Sequence, residues 1–181
     1  TIFGAVFEST LNPETRRSGG MHYTSIENIH KVIDPLFLDD LKAELAEIEK
    51  IDIIRTRDQK LRSFQDKLAS IVCLDPAAGS GNFLTEGYLQ HRKLENQVIQ
   101  DLTGGQIVMG AVDNPIKVQI SQFYGIEIND FAVTVARTAL WIAENQMMKE
   151  TEDIVHMSLD YLPLKTNANI VKGNALRMDW D

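Results

Sequence analysis

Asp75-Pro76-Ala77-Ala78-Gly79-Ser80-Gly81-Asn82-Phe83-Leu84 lies between two different kinds of sequence. Before it, Ser70-Ile71-Val72-Cys73-Leu74 is a short apolar run fit for a strand buried on both faces. After it, the residues through about Gln97 read as a helix. The unit is therefore strand, glycine loop, helix. Glycines 79 and 81 allow positive φ and a close approach of backbone to a ligand, and the loop aims the next helix's N-terminus at whatever is bound. A lone Gly-x-Gly is a weak signal, so its neighbours must choose between ligands. The dinucleotide fingerprint wants Gly or Ala where Leu84 stands, and no Gly-Lys-Ser/Thr follows to make a P-loop. Asp75, at the strand's carboxyl end, would repel a pyrophosphate but accept hydrogen bonds from a cation such as the ammonium of methionine.

Outward from this unit the alternation continues. Phe123-Tyr124-Gly125-Ile126-Glu127-Ile128 is a second strand by composition, and Asn129-Asp130 caps a helix with Ala132, Val135, Ala136, Ala139, Ile142 and Ala143 on one face. Asn169-Ile170-Val171-Lys172-Gly173 makes a third strand. Strands alternating with helices predict a parallel sheet with crossover helices. Glu127 ends its strand where an acidic side chain can accept both hydroxyls of an adenosine ribose; its plainer reading is a capping acid for the helix that follows. Between the first helix and second strand, Gly104-Gly105 and Asp113-Asn114-Pro115 punctuate β-prone residues and suggest an inserted hairpin within 100–121. Residues 1–69 are predicted helical. Thr24-Ser25-Ile26-Glu27 has the form of a capping box, with Ile26, Ile29 and Ile33 along one face until Asp34-Pro35 closes that helix and opens the next. Leu38, Leu41, Leu45 and Ile48 continue the apolar stripe, and Leu61, Phe64 and Leu68 mark a further helix.

Composition narrows the function. With 181 residues and 44% hydrophobic content the chain can bury one sizeable core. Lys plus Arg number 18 against 26 Asp plus Glu, a net of −8, which disfavours the chain as a stand-alone grip on a phosphate backbone. The basic stretch Arg55, Arg57, Lys60, Arg62, Lys67 is interspersed with acids and reads as a solvated helix face. No apolar run reaches the roughly 18 residues of a membrane span and no signal-like start is present, so a cytoplasmic location is expected. The single cysteine, Cys73, has no partner for a disulfide and is expected in the core. His22, His30, His91 and His156 share no spacing that suggests a metal site or a triad.

The quoted loop closely resembles the cofactor loop of amino-methylating DNA methyltransferases, Asp-Pro-Ala-Cys-Gly-Ser-Gly-Asn-Phe-Leu, with Ala78 in place of the frequent Cys. Arg16-Arg17-Ser18-Gly19-Gly20-Met21-His22-Tyr23-Thr24-Ser25 resembles that family's amino-terminal cofactor motif. Tyr124-Gly125-Ile126-Glu127-Ile128 resembles its acidic ribose-binding strand, and Gly173-Asn174-Ala175-Leu176 its adenine-contacting turn. The four segments come in the family's order, and their wording, with Ile33-Asp34-Pro35-Leu36-Phe37, is most similar to the methyltransferase part of single-chain, type IIL-like restriction-modification enzymes. The resemblance implies S-adenosylmethionine as cofactor. It places Tyr23 and Thr24 at the methionine part, with Met21 and His22 as further cofactor-binding residues of the same motif, Asp75 at the ammonium, and Pro76, Ala77, Gly79, Gly81, Asn82 and Phe83 along the loop. Glu127 would take the ribose, Ile128 the adenine face, and Asn174 with Ala175 the adenine edge. Each has a plainer alternative: Thr24 as a helix cap, Ile128 as core, Asn174 as a turn former.

The resemblance also implies methyl transfer to the exocyclic amine of an adenine flipped out of double-stranded DNA. The family's Asp/Asn-Pro-Pro-aromatic loop is not spelled here: Asn12-Pro13 is followed by Glu14, and Asn114-Pro115 by Ile116. The expectation is therefore a fragment: a helical segment at 1–69, then the first half of a Rossmann-like, partly doubly wound α/β domain at 70–181. By itself it would be inactive and without catalytic residues, its parent would contact DNA mainly through other segments, and an exposed sheet edge could pair two copies. A methyltransferase acting on RNA, protein or cytosine amines, or a non-catalytic binding module, stays open at this point.

Overall fold

A computed structural model describes residues 24–104, 114–156, 158–159 and 168–179. Met21, His22 and Tyr23, and most of the suggested hairpin, lie outside them. The chain enters helix α1 (Ile26–Ile33) at Ser25, whose hydroxyl accepts from the Asn28 amide at 3.4 Å. The cap is thus one residue later than the capping box predicted, and Thr24 is released from that role. Ile29 and Ile33 are buried as expected, while Ile26, in the first turn, is largely exposed.

Asp34-Pro35 does not break the helix. Proline cannot donate to a carbonyl one turn back and its ring crowds that carbonyl, so the chain widens into a π-helical turn (Asp34–Leu38) and runs on into α2 (Asp39–Glu49). The stripe survives the extra residue: Leu38, Leu41, Leu45 and Ile48 are all buried. Helix α3 (Ile54–Ser70) follows, with Leu61, Phe64 and Leu68 inward.

Strand β1 (Cys73–Asp75) is shorter than predicted, and with Val72 and Leu74 exposed it is not covered on both faces. Helix α4 (Asn82–Thr103) runs six residues beyond Gln97. A 3-10 turn (Ile120–Gln122) leads into β2 (Phe123–Glu127), then α5 (Asp130–Val155) and β3 (Asn169–Lys172). Asn129 caps α5 as predicted, its Oδ1 accepting from the amides of Phe131 and Ala132 at 3.0 and 3.1 Å. Of the face assigned to α5, Ala132, Ala136 and Ala143 are buried, whereas Ile142 lies at the exposed margin.

The three strands are parallel in the order β1-β2-β3, with Asp75 opposite Gly125 and Glu127 opposite Lys172. Parallel neighbours require crossovers, supplied here by α4 and α5. All three strands therefore point their carboxyl ends the same way. One core joins the helical first third to the sheet, from Ile29 and Leu38 through Leu84 and Phe123 to Leu140 and Ile170. Phe123 meets Tyr88 and His91 edge-on, with ring centroids 5.6 and 5.5 Å away.

Polar groups inside this core are bonded together. Glu95, fully buried, pairs with Arg92 and accepts from Gln65 Nε2 at 2.8 Å and from the backbone amides of Lys117 and Val118 at 2.6 and 3.2 Å. Arg92 Nη2 donates to Thr151 Oγ1 at 2.6 Å, which joins α4 to α5. Glu95 thereby pins the segment 115–118, where the chain returns from the insertion, onto α4 and α3.

Candidate cofactor site

The glycine loop leaves β1 at Asp75 and is held in three places. Asp75 Oδ1 accepts from the Ala77 amide at 3.0 Å, closing a local turn. The Ala78 amide donates to the Ile126 carbonyl at 3.0 Å, and the Gly79 amide to Glu127 Oε2 at 2.9 Å. The other carboxylate oxygen of Glu127 accepts from the Asn129 amide at 2.7 Å. Glu127, barely exposed, therefore joins the loop after β1 to the loop after β2, and it does serve the start of α5 as its plainer reading held. Each carboxylate oxygen has lone pairs beyond those bonds, so the group remains an acceptor for a ligand.

The two glycines divide their work. Gly79 has φ +53° with nothing within 4 Å of where a side chain would begin, so the space above it is open. Gly81 has φ +76°, caps α4, and faces α5: an added Cβ would stand 2.8 Å from Ala136 Cβ. Its close approach is to protein.

Asp75 is half-buried. Burial raises its pKa above the ordinary carboxylate value, the Ala77 amide lowers it, and Glu127 adds a smaller upward push. Two carboxylates thus stand at the ends of neighbouring strands. Among the described residues neither forms an ion pair with a Lys, Arg or His. Such a place favours a cation.

Asp75, Pro76, Ala77 and Phe83 also line a cavity of about 650 Å³ whose opposite wall is Val32, Ile33, Leu36 and Phe37, from α1 and the π turn. Cys73 lies on the same side, half-buried, and burial pushes its thiol up to about 11. Asn82 opens α4, which no side chain caps. Thr24, half-buried, immediately precedes α1.

Glu127, Ile128, Asn174 and Ala175 occupy a second part of the same sheet end. The Gly173 amide donates to the Glu127 carbonyl at 2.9 Å, which sets the turn after β3 beside the loop after β2. Ile128 is 64% exposed and so is not core. Asn174 Oδ1 accepts from the Leu176 amide at 3.0 Å, the geometry of a turn former. Two apolar side chains not singled out from the sequence join them in solvent, Phe131 and Leu176, the latter 94% exposed. Leu176 stands inside the Gly-Asn-Ala-Leu segment, where only exposure distinguishes it. Among the described residues no group of three or more His, Cys, Asp or Glu is placed to hold a metal ion.

Known proteins share this arrangement. A family profile described as "MmeI, DNA-methyltransferase domain" matches residues 51–181. DNA methyltransferase A of Bacillus subtilis (strain 168) is 41% identical over 184 residues, covering 99% of this chain and 20% of that protein. The structure of the type IIL restriction-modification enzyme MmeI in complex with DNA superimposes with a TM-score of 0.86 at 38% identity, over 99% of this chain and 23% of the other. The chain thus spans about a fifth of the length of these relatives. With most of its residues inside the family profile and its whole described fold matched, the chain belongs to the MmeI DNA-methyltransferase domain family.

Proposed function

We propose that the chain is the S-adenosylmethionine-binding part of an adenine-specific DNA methyltransferase of a restriction-modification system, with a Rossmann-like sheet end as its binding crevice. The observation that carries this reading is the pair Asp75 and Glu127, two carboxylates bonded to the glycine loop that form no ion pair with a Lys, Arg or His among the described residues. Asp75 takes the methionine ammonium. Glu127, already oriented by two amides, takes the ribose hydroxyls through its remaining lone pairs. Ile128 offers an exposed apolar face to the adenine ring, and Asn174 and Ala175 meet its edge. Pro76, Ala77, Gly79, Gly81, Asn82 and Phe83 form the loop and helix start against which the methionine part rests. Tyr23 and Thr24 contact the methionine part, with Met21 and His22 beside them in the sequence motif.

The cofactor supplies a methyl group on a sulfonium sulfur, and this chain's residues bind and orient it. The amine-accepting Asp/Asn-Pro-Pro-aromatic segment belongs to other parts of the parent, as do most contacts to double-stranded DNA, in keeping with the net charge of −8. On this reading residues 1–69 form the helical segment carrying the amino-terminal motif and 70–181 the first half of the cofactor domain. No helix among the described residues is long and apolar enough to cross a membrane.

Calorimetric titration of the chain with S-adenosylmethionine tests the proposal, with NAD as control and Asp75→Ala as the variant. Saturable binding of S-adenosylmethionine alone, weakened about 10-fold to 100-fold by loss of a charge-assisted hydrogen bond, is expected. Equal binding by the variant would remove Asp75 from the site.

A further inference from the structure

The histidines show no pattern in the sequence, yet one of them has a defined place in the fold. His30 on α1 sets Nδ1 2.7 Å from Asp34 Oδ1, on the π turn, and Nε2 3.2 Å from Glu86 Oε1, on α4. Glu86 is buried and also accepts from Gln90 Nε2 at 2.7 Å. A neutral imidazole has one N–H and one lone pair, so it would point that lone pair at one of the two carboxylates. Only the imidazolium donates to both.

Other groups nearby leave this contact undisturbed. Lys31 on α1 turns to Asn28 Oδ1 at 2.9 Å, and Glu27, one turn earlier, is exposed. On α4, His91 bonds to the Gly87 carbonyl and packs on Phe37 and Phe123, turned away from His30's carboxylate partners; burial lowers its pKa. The elements His30 joins bear on the cavity. Val32, Ile33, Leu36 and Phe37 are one wall, and Glu86 lies one turn into the helix that leaves the glycine loop.

We propose that His30 is a proton-dependent latch: as imidazolium it clips α1 and the π turn to α4 and so holds the wall that faces Asp75 and Ala77. Its effect on affinity rests on the cofactor reading above; the latch itself does not. The bond to Asp34, followed by that to Glu86 against an opposing effect of burial, holds His30 above its ordinary 6.5. A raised histidine contributes its docking energy fully below the ordinary value and loses it as pH rises through the raised one. The wall is therefore clipped at mildly acid pH and released toward alkaline pH.

Hydrogen-exchange protection factors for amides 29–34 and 36–38, measured across about pH 5.5 to 9 beside an NMR titration of His30, test this. In the native chain protection should fall about threefold to tenfold through the measured His30 pKa, the size expected for a partly exposed charge contact. His30→Gln should show low, pH-independent protection, and Glu86→Gln should lower the His30 pKa. A flat native profile, or the same pH course in His30→Gln, overturns the latch; if that variant does not fold, an unchanged His30 pKa in Glu86→Gln does so. Titration with S-adenosylmethionine over the same range should show the dissociation constant rising by the same factor in the native chain alone. Binding that ignores pH while protection follows it refutes the link to the cavity. A pH-dependent clip with no binding at any pH means that the cofactor reading fails while the latch stands.

Discussion

Asp75, the proposed ammonium acceptor, opposes stability. Its carboxylate is half-buried with Glu127 nearby, so the folded chain favours its protonated form. Stability is full below the ordinary value of 3.8 and is lost as pH rises through the raised one. Asp75→Asn keeps the acceptor for the Ala77 amide and removes the charge. Chemical denaturation at pH 7 should find that variant as stable as the native chain or more so, by up to about 1 kcal/mol, while S-adenosylmethionine binding weakens by no more than the about 10-fold to 100-fold expected of Asp75→Ala. Gly81 works in the opposite direction. Gly81→Ala forces a side chain into positive φ and against Ala136, so it should lower the unfolding free energy by about 2–4 kcal/mol. At Gly79 the same change should cost only the backbone term, about 1–2 kcal/mol, because nothing stands in the way. The comparison, read by thermal unfolding, separates a glycine that helix packing needs from one with open space above it.

Among the elements, α4 carries the heaviest duty. It begins at the glycine loop, packs on α5, and holds Arg92 and Glu95 inside. Glu95 serves four donors from three parts of the chain, so Glu95→Ala leaves Arg92 charged and two backbone amides unsatisfied. A loss of about 3–5 kcal/mol is expected in urea unfolding, with hydrogen-exchange protection lost first at 115–118. Glu95→Gln keeps acceptors but removes the counter-charge, and should lie between. The π turn is an element-scale device of another kind. Pro35 inserts a residue without ending the helix, and this rotates Leu38 into the core while Leu36 and Phe37 turn to the cavity.

At the scale of the whole molecule, the sheet pairs β1 on one side alone among the described residues, and Val72 and Leu74 are bared beside that edge. Such an edge is a template for another strand. Sedimentation should find concentration-dependent self-association of the chain at tens of micromolar, reduced by Leu74→Lys, with the far-ultraviolet spectrum unchanged. Equal association in the variant would place the contact elsewhere. The same unpaired edge is where a sheet of this kind would be continued by further strands, in keeping with relatives about four to five times as long as this chain.

The order strand, glycine loop, helix, acidic strand, helix, strand was legible in the sequence, because caps, breakers and apolar spacing are local chemistry. Asn129 caps its helix by reaching two amides a few atoms away, and Asp75 closes its turn on Ala77; neither needs a distant partner. Where local signals compete, the wider fold decides between them. Thr24 and Ser25 are nearly equivalent caps, and the burial of Ile29 and Ile33 sets which is used. Proline usually ends a helix, yet the apolar stripe from Ile29 to Ile48 draws the chain through Pro35. Asp75 at the head of the glycine loop suggested a cationic ligand from the sequence. That Glu127 grips the loop through Gly79, that Gly81 yields to Ala136, and that His30 meets two carboxylates depended on contacts between residues far apart in sequence, and such distances arise only when the chain is packed.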